Sequence, residues 1–236
     1  MITNLILLIV GIAAAFVASI LFSNNKIVKV SLQGLFLVLI VILVIMNFST
    51  INDSIKFKEE RKVRNDAVIS KLKDIRTIQV AYKDRYSKYT GSFDTLLTFA
   101  KTDSFEIKTM NVIGEWNTDE MTKEQAIKKG IIKIEKSYKP VADSLFENDY
   151  DIDGLKYIPY TNKKEFTMAA GELETMSKVK VDVFEAYAMF EDYLGELRPK
   201  QDVVNYIEER YEITNFRGLK VGSLTEATNN AGNWEN

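Results

Sequence analysis

The sequence predicts an α+β protein with a transmembrane helical hairpin at its N-terminus. Three observations support this prediction. Two uncharged apolar runs, residues 4–22 and 30–48, each have about the length that a helix needs to cross a bilayer core. No proline interrupts residues 30–86, so this stretch is predicted to form one long helix. Beyond it, short runs that alternate apolar and polar residues indicate a mainly antiparallel sheet.

The first apolar run is interpreted as a membrane span because no Lys or Arg precedes it and no small-x-small cleavage site follows it, as a signal peptide would require. A short polar connection to the second run makes an antiparallel hairpin. Gly11, Ala15 and Ser19 are spaced by four and place small side chains on one helix face. This face meets either the second span or another subunit, so the three residues are candidate interaction residues.

The basic residues near the span ends favour a cytoplasmic soluble domain. The connection between the spans carries two lysines, whereas the residues just after the second span carry Lys56, Lys58, Arg61, Lys62 and Arg64. The sequence therefore predicts a multi-pass protein of the inner (cytoplasmic) membrane with the lipid bilayer as one partner.

The long helix changes character along its length. Residues 53–66 are dense in alternating charge, which is typical of a solvated helical stalk. An apolar stripe then begins, formed by Val68, Leu72, Ile75, Tyr82 and Tyr86. These changes predict a hairpin over residues 1–52, a stalk over 53–66 and a soluble α+β domain over 67–236.

Two stretches carry resemblances to known families. IRTIQVAYKDRYSKYTGSFDTLL, residues 75–97, resembles the end of the long helix and the following loop in type IV pilins and pseudopilins. This resemblance implies a pilin-like arrangement of a long helix on an antiparallel sheet, with the domain in the periplasm. Residues 63–97, together with GLKVGSLTEATNNAGNWE at 218–235, resemble a family of uncharacterised membrane-anchored proteins of Bacteroidota. The second resemblance implies a membrane anchor and no particular activity.

Capping signals place the next elements. Ser92 as N-cap and Asp94 in the first turn predict a helix over residues 92–101. The capping-box spacing of Thr122 and Gln125 predicts a short helix that ends at Gly130. Three short strands are predicted around these helices, at residues 105–113, 131–138 and 155–158.

The clearest sheet signal is an antiparallel hairpin. Alternating apolar residues mark its two strands. The first strand contains Phe166, Met168 and Ala170, and the second contains Val179, Val181 and Val183. A turn is predicted between them at residues 175–178. Pro199 opens a helix whose predicted buried face is Val203, Val204, Ile207 and Tyr211. Residues 219–224 are predicted to add an edge strand.

One metal-ligand pattern is present. Asp149, Asp151 and Asp153, followed by Gly154, match the first half of a calcium loop. The twelfth position is Tyr160 instead of a bidentate glutamate, so an acidic connecting turn is the competing interpretation. Calcium is the one cofactor that the sequence suggests.

A tyrosine cluster is the second candidate site. Tyr82, Tyr86 and Tyr89 lie close together near the predicted end of the long helix. They form either a binding platform with a polar rim or part of the core with one edge in water.

Composition narrows the function. The chain contains neither histidine nor cysteine, which removes the usual general base, the usual zinc ligands and thiol nucleophiles. Its net charge of −2, with acids and bases intermixed, argues against nucleic acid as a partner. The sequence therefore predicts a protein that is not an enzyme: a noncatalytic subunit or scaffold of a membrane or envelope complex, with a protein partner or further copies of itself. The alternative is an anchored ligand-binding or sensor domain.

Overall fold

The computed structural model describes residues 7, 10–12, 14–15, 17–18, 26–116, 121–147 and 149–235. The chain divides into two compact units. The first comprises residues 1–61 and 197–203, and the second comprises residues 62–196 and 204–236. The stalk predicted at residues 53–66 is thus shared between the two units.

The first unit contains the predicted membrane hairpin. Helix α1, Lys26–Tyr86, begins here, and its apolar side chains Ile27, Leu37 and Ile45 are well exposed. Most of the predicted first span, including Ser19, lies outside the described residues. The side chains of residues 28–29, 32–33, 36, 44 and 46–51 are not described. Among the described residues, no helix has both the length and the apolarity needed to cross a bilayer. The transmembrane hairpin therefore stays a prediction.

Helix α1 is continuous to Tyr86, as predicted, and supplies the spine of the second unit. Its predicted stripe is buried: Val68, Leu72 and Ile75 are fully inaccessible to solvent, and Tyr82 is nearly so. Tyr86, predicted to continue this stripe, is 48% exposed. The apolar stripe therefore ends one turn before the helix does.

The distal part of the predicted stalk makes long-range contacts through two of its residues, whereas Lys62, Val63 and Asp66 are exposed. The Arg64 guanidinium donates a hydrogen bond to the carbonyl of Tyr193 at 2.7 Å and lies over the Tyr160 ring. Asn65 accepts a hydrogen bond from the Tyr193 hydroxyl at 2.8 Å and donates one to the Tyr206 hydroxyl at 2.9 Å. Charge density alone did not show that two polar residues of this segment bind partners about 130 residues further along the chain.

A two-stranded antiparallel sheet follows α1. Helix α2, Phe93–Thr102, begins at the predicted N-cap Ser92, and helix α3, Lys123–Lys128, begins with the predicted capping box of Thr122 and Gln125. Between and after these helices lie strands β1, Ser104–Val112, and β2, Ile132–Pro140. The strands pair along their whole length, from Ser104 opposite Pro140 to Val112 opposite Ile132. A short helix that was not predicted, α4, Val141–Leu145, comes next.

A three-stranded antiparallel sheet forms the rest of the second unit. Its strands are β3, Thr167–Glu174, β4, Lys180–Met189, and β5, Gly218–Gly222, in the order β3-β4-β5. The predicted β-hairpin, formed by β3 and β4, is confirmed, and so is the α+β class. Helices α5, Phe190–Leu194, and α6, Lys200–Thr214, connect β4 to β5.

Two predictions about these elements are wrong. Residues 155–158 are not a regular strand: a 3₁₀ helix covers Asp153–Lys156, and only Tyr157 makes an isolated bridge, to Glu165. In α6, Val203 is buried, but Val204 and Tyr211 are 51% and 40% exposed. Ile207 is half-buried, so the predicted face of α6 contains one buried, one half-buried and two exposed residues.

A buried amide fixes the turn that follows α1. The Gln79 side chain, with no exposed surface, donates a hydrogen bond to the Thr90 carbonyl at 2.5 Å and accepts one from the Thr90 N–H at 3.2 Å. Its nitrogen also lies 3.1 Å from the sulfur of Met168 on β3. One side chain therefore ties the helix, the turn and the sheet together.

Replacing Gln79 by alanine should destabilise the second unit. The Thr90 backbone would lose both partners and a cavity would remain, so we expect the free energy of unfolding to fall by about 1–3 kcal/mol. Urea unfolding of the full chain measures this loss. Asp84→Ala, an exposed position on the same helix, should change stability by less than about 0.5 kcal/mol. Equal unfolding midpoints for the two variants would contradict the role assigned to the amide.

Candidate functional site

The three candidate tyrosines do not form one platform. Tyr82 and Tyr86 lie together, with ring centroids 4.7 Å apart, and both pack edge-on against Phe99. Tyr89 instead packs on Phe184 of β4, with centroids 4.9 Å apart. Ser87, at φ 59°, turns the chain between the two groups. The structure thus brings Tyr82 and Tyr86 together and places Tyr89 in a different environment.

One edge of the Tyr82–Tyr86 group is exposed to solvent. The Tyr86 hydroxyl donates a hydrogen bond to the Asp103 carboxylate at 2.9 Å. This hydrogen bond and the charge of Asp103 raise the pKa of Tyr86 above its usual value. Tyr86 therefore stays a neutral donor at physiological pH, with its ring on the core and its hydroxyl at the surface.

An open cleft of about 710 Å³ lies beside Tyr89. Its lining combines an apolar floor from α1, β1 and α4 with a polar rim from α1 and the C-terminal segment: Arg76, Thr77, Val80, Ala81, Lys83, Asp84, Tyr89, Phe105, Leu145, Asn229 and Asn230. A cleft of this size can hold a small molecule or a peptide side chain.

The polar groups of the cleft are held in place by contacts with each other. The Lys83 ammonium lies 4.6 Å from the centre of the Tyr89 ring and 3.7 Å from the Asp182 carboxylate. The Asn230 amide donates a hydrogen bond to the Tyr89 hydroxyl at 2.8 Å. An aromatic face, an ammonium group and amide groups are suited to binding a ligand, whereas a covalent reaction would need an activated nucleophile.

The C-terminal segment is anchored to α1 on one side. Arg76 donates hydrogen bonds to the Asn230 carbonyl at 3.2 Å and to the Glu235 carboxylate at 2.9 Å. The N–H of Gly232 also donates to Glu235, at 3.1 Å. These donors, the Gly232 N–H first, lower the pKa of Glu235 below its usual value of 4.5.

On its other side the C-terminal segment extends the sheet. Gly232 forms a bridge to Val221 of β5, and the Asn233 N–H donates a hydrogen bond to the Lys220 carbonyl at 3.0 Å. Asn229 and Asn230 have φ of 52° and 61°, a left-handed conformation that asparagine adopts more readily than most residues. The asparagine pair therefore turns the chain from the cleft rim to the sheet edge.

The three aspartates of the predicted calcium loop have separate roles. Asp151 accepts a hydrogen bond from the Gly154 N–H at 2.9 Å, Asp153 pairs with Lys101, and Asp149 is exposed in a left-handed turn. Within the described residues, no group of three or more acidic side chains is arranged to hold a metal ion. The structure does not bring these carboxylates together.

A lysine side chain binds backbone carbonyls of this acidic turn. The Lys71 ammonium donates hydrogen bonds to the carbonyls of Gly154 and Tyr157, the latter at 3.1 Å. Burial lowers the pKa of Lys71, while the charges of Asp151 and Asp74 oppose the shift. Burial also raises the pKa of Asp74, which accepts a hydrogen bond from the Tyr150 hydroxyl at 2.5 Å. Here a lysine ammonium holds two backbone carbonyls of the turn.

The candidate small-residue face is only partly described. Gly11 and Ala15 lie in helical conformation and are half-buried, and Ser19 is outside the described residues. A methyl group added at Gly11 would meet no described heavy atom within 4 Å. The structure thus shows no close helix contact at Gly11 among the described residues.

Sequence reasoning missed Arg76, Gln79 and Lys71. Gln79 had a usable signal, because it follows Ile75 by one turn and therefore lies on the buried face of α1. A polar residue at a buried helical position must find hydrogen-bond partners. Arg76 and Lys71 had no such signal, since their partners lie far along the chain.

No protein-family model, curated protein or solved structure matches the chain. The resemblances to pilins and to membrane-anchored proteins of Bacteroidota stay predictions from the sequence.

The anchoring of the C-terminal segment should depend on pH. Because the folded-state pKa of Glu235 is depressed, its carboxylate stabilises the fold above pH 4.5, and this contribution is lost as the pH falls through the folded-state pKa. We expect Glu235→Gln to lower stability by about 0.2–1 kcal/mol at neutral pH. The deficit should shrink as the pH falls from neutral through the folded-state pKa, because wild type becomes protonated too.

Urea midpoints of wild type and Glu235→Gln, measured across this pH range, test the expectation. Only the difference between the two curves is interpreted, because pH effects that are common to both proteins cancel in it. A deficit that is the same at both ends of the range would show that the charge of Glu235 is not responsible.

Proposed function

We propose that this chain is a membrane-anchored, noncatalytic subunit or scaffold of a membrane or envelope complex. The observation that carries the proposal is the apolar surface of α1 within the first unit. Side chains around the whole helix are apolar and well exposed there: Ile27, Val30, Leu35, Leu37, Val38, Val41, Ile42 and Ile45. A surface of this kind is normally covered by lipid or by another protein.

The sequence adds support for lipid. The run at residues 30–48 contains no charged residue and a second uncharged run precedes it, each about 19 residues long as a bilayer span requires. The excess of basic residues after the second run favours a cytoplasmic domain. The lack of histidine and cysteine favours a binding or structural role over catalysis.

Paired cysteine labelling tests the anchor and its orientation. The native chain has no cysteine, so Asn24→Cys and Ser177→Cys each introduce a unique thiol, the first between the predicted spans and the second in the exposed β3–β4 turn. A membrane-impermeant thiol reagent should label Asn24→Cys in intact cells. Ser177→Cys should be labelled only after the cells are permeabilised.

The possible results separate the parts of the proposal. Labels on the same side of the membrane would contradict a two-span hairpin, and a fully reversed pattern would place the domain in the periplasm. Release of the chain by alkaline carbonate washing would contradict an integral anchor. A chain that stays strictly monomeric and partnerless after gentle detergent extraction would contradict the role as a subunit.

The cleft beside Tyr89 favours a second candidate function, an anchored ligand-binding or sensor domain.

Calcium is the ligand that the acidic turn, a separate site, suggests, although Lys71 and Lys101 already contact that turn. Calcium that binds only the folded state must raise the melting midpoint, by an amount equivalent to about 2.7 kcal/mol at 100 times its Kd.

We expect millimolar calcium to leave the midpoint unchanged, because Asp153 already pairs with Lys101 and the three aspartates of the turn are not brought together. Magnesium at the same concentration controls for ionic strength. A rise with calcium alone, abolished in Asp151→Asn, would favour the sensor function over the scaffold.

A further inference from the structure

Strands β1 and β2 form a ribbon that pairs only with itself among the described residues. Beyond its first residues, nearly every position is exposed on both faces. Two-stranded sheets of this kind are marginally stable in water unless something packs on them. Helices α2, α3 and α4 contact the ribbon, but most of its residues stay open to solvent, so its faces can accept a further partner.

One face of the ribbon is both apolar and basic. The register places Met110 opposite Ile134 and Lys108 opposite Lys136 on the same face, with Tyr138 beyond them. Met110 and Ile134 are about two-fifths exposed and Tyr138 is 69% exposed. We call these five residues the ribbon face.

The two lysines of the ribbon face are electrostatically unfavourable as they stand. Like charges directly opposite each other on neighbouring strands destabilise the pair. Glu106 lies on the same face, pairs with Lys136 at 2.6 Å and also interacts with the charge of Lys108, which has no ion pair of its own within the described part of the chain. One carboxylate thus serves two ammonium groups, and a second carboxylate supplied from outside would pair with Lys108.

Helix α6 exposes a surface of opposite charge. Val204, Glu208, Tyr211 and Glu212 lie on one stripe of the helix and are all exposed. We call these four residues the helix face. Glu208 pairs with Arg217 at 3.1 Å, and the same guanidinium lies 4.8 Å from the centre of the Tyr211 ring, so it would have to move when a partner covers Tyr211. Glu212 has no ion pair within the described residues.

Glu212 is also unfavourably placed. It lies in the last turn of α6, which contains no basic residue, so its charge opposes the negative end of the helix dipole. The ribbon face and the helix face thus each carry an electrostatic penalty, of opposite sign, beside exposed apolar side chains.

We propose that the ribbon face of one copy docks on the helix face of a second copy. Alternate residues along a strand are about 6.6 Å apart and residues one helical turn apart are about 6 Å apart, so apolar and charged positions can match in register. Val204 and Tyr211 would cover Met110 and Ile134, while the glutamates meet Lys108 and Lys136. The charge complementarity favours this occupant over an uncharged partner.

This contact is heterologous, because two different surfaces meet. Each copy keeps one free ribbon face and one free helix face after the first contact, so assembly continues head to tail beyond a dimer. The inference rests on one part of the proposed function, namely that the chain acts through contacts with proteins.

Charge reversal of the full chain in mild detergent tests the contact. We expect wild type to associate reversibly at low ionic strength and to dissociate in about 1 M salt, where the Debye length is about 3 Å. The double variants Lys108→Glu/Lys136→Glu and Glu208→Lys/Glu212→Lys should each weaken association roughly tenfold or more. A mixture of the two variants should associate again. Sedimentation velocity measures all four.

A matched control uses the opposite face of the same strands. Lys133→Glu/Lys139→Glu changes the net charge by the same amount and should leave association unaffected. Circular dichroism melting confirms that each variant is folded. The Glu212→Lys substitution should itself be tolerated, since it places a cation near the C-terminal end of a helix.

Three results would overturn the proposal: a wild type that is monomeric at every concentration, association that charge reversal of the ribbon face does not weaken, or variants that fail to associate when mixed. None of these results bears on the membrane anchor, which carbonate washing and cysteine labelling test independently.

Discussion

The fold of the second unit depends on a hydrogen-bonded pair, the Gln79 amide and the Thr90 backbone. An apolar stripe buries a helix but tolerates a shift along the axis, because neighbouring turns present similar side chains. A buried amide tolerates no such shift, since losing its partners would leave several polar groups desolvated. By fixing Thr90, Gln79 also fixes Gly91, whose backbone lies so close to Ala170 of β3 that a Cβ would be only 3.1 Å from its nitrogen. Helix, turn and sheet edge are thus set together.

The surface of the second unit has regions where charged side chains are paired and regions where they are not. Around the acidic turn, Lys101 pairs with Asp153 and Lys71 binds the Gly154 and Tyr157 carbonyls. On the ribbon and on α6, by contrast, Lys108 and Glu212 have no ion pair within the described residues. The first pattern is that of a structural turn, and the second is the basis of the proposed contact between copies.

The sequence predicted what depends on nearby residues and failed where distant residues decide. Ser92, Thr122 and Gln125 cap helices as expected, because a cap involves residues only three positions apart. The strand expected at residues 155–158 is replaced by the 3₁₀ helix Asp153–Lys156, and the carbonyls of Gly154 and Tyr157 accept hydrogen bonds from Lys71, more than 80 positions earlier. The cleft beside Tyr89 was equally hidden, since segments far apart in the chain build it. Tyrosine spacing alone gave no sign that Ser87 reverses the chain between Tyr86 and Tyr89.

The contact between Arg76 and Glu235 has a consequence for how the protein is made. The two residues are 159 positions apart along the chain. During translation, α1 emerges early, whereas the segment that completes the sheet edge beside β5 emerges much later. The second unit therefore cannot close until the residues around Glu235 have left the ribosome. Until then, the edge of β5 stays open and the nascent domain depends on α1 and the β3–β4 hairpin for whatever structure it holds.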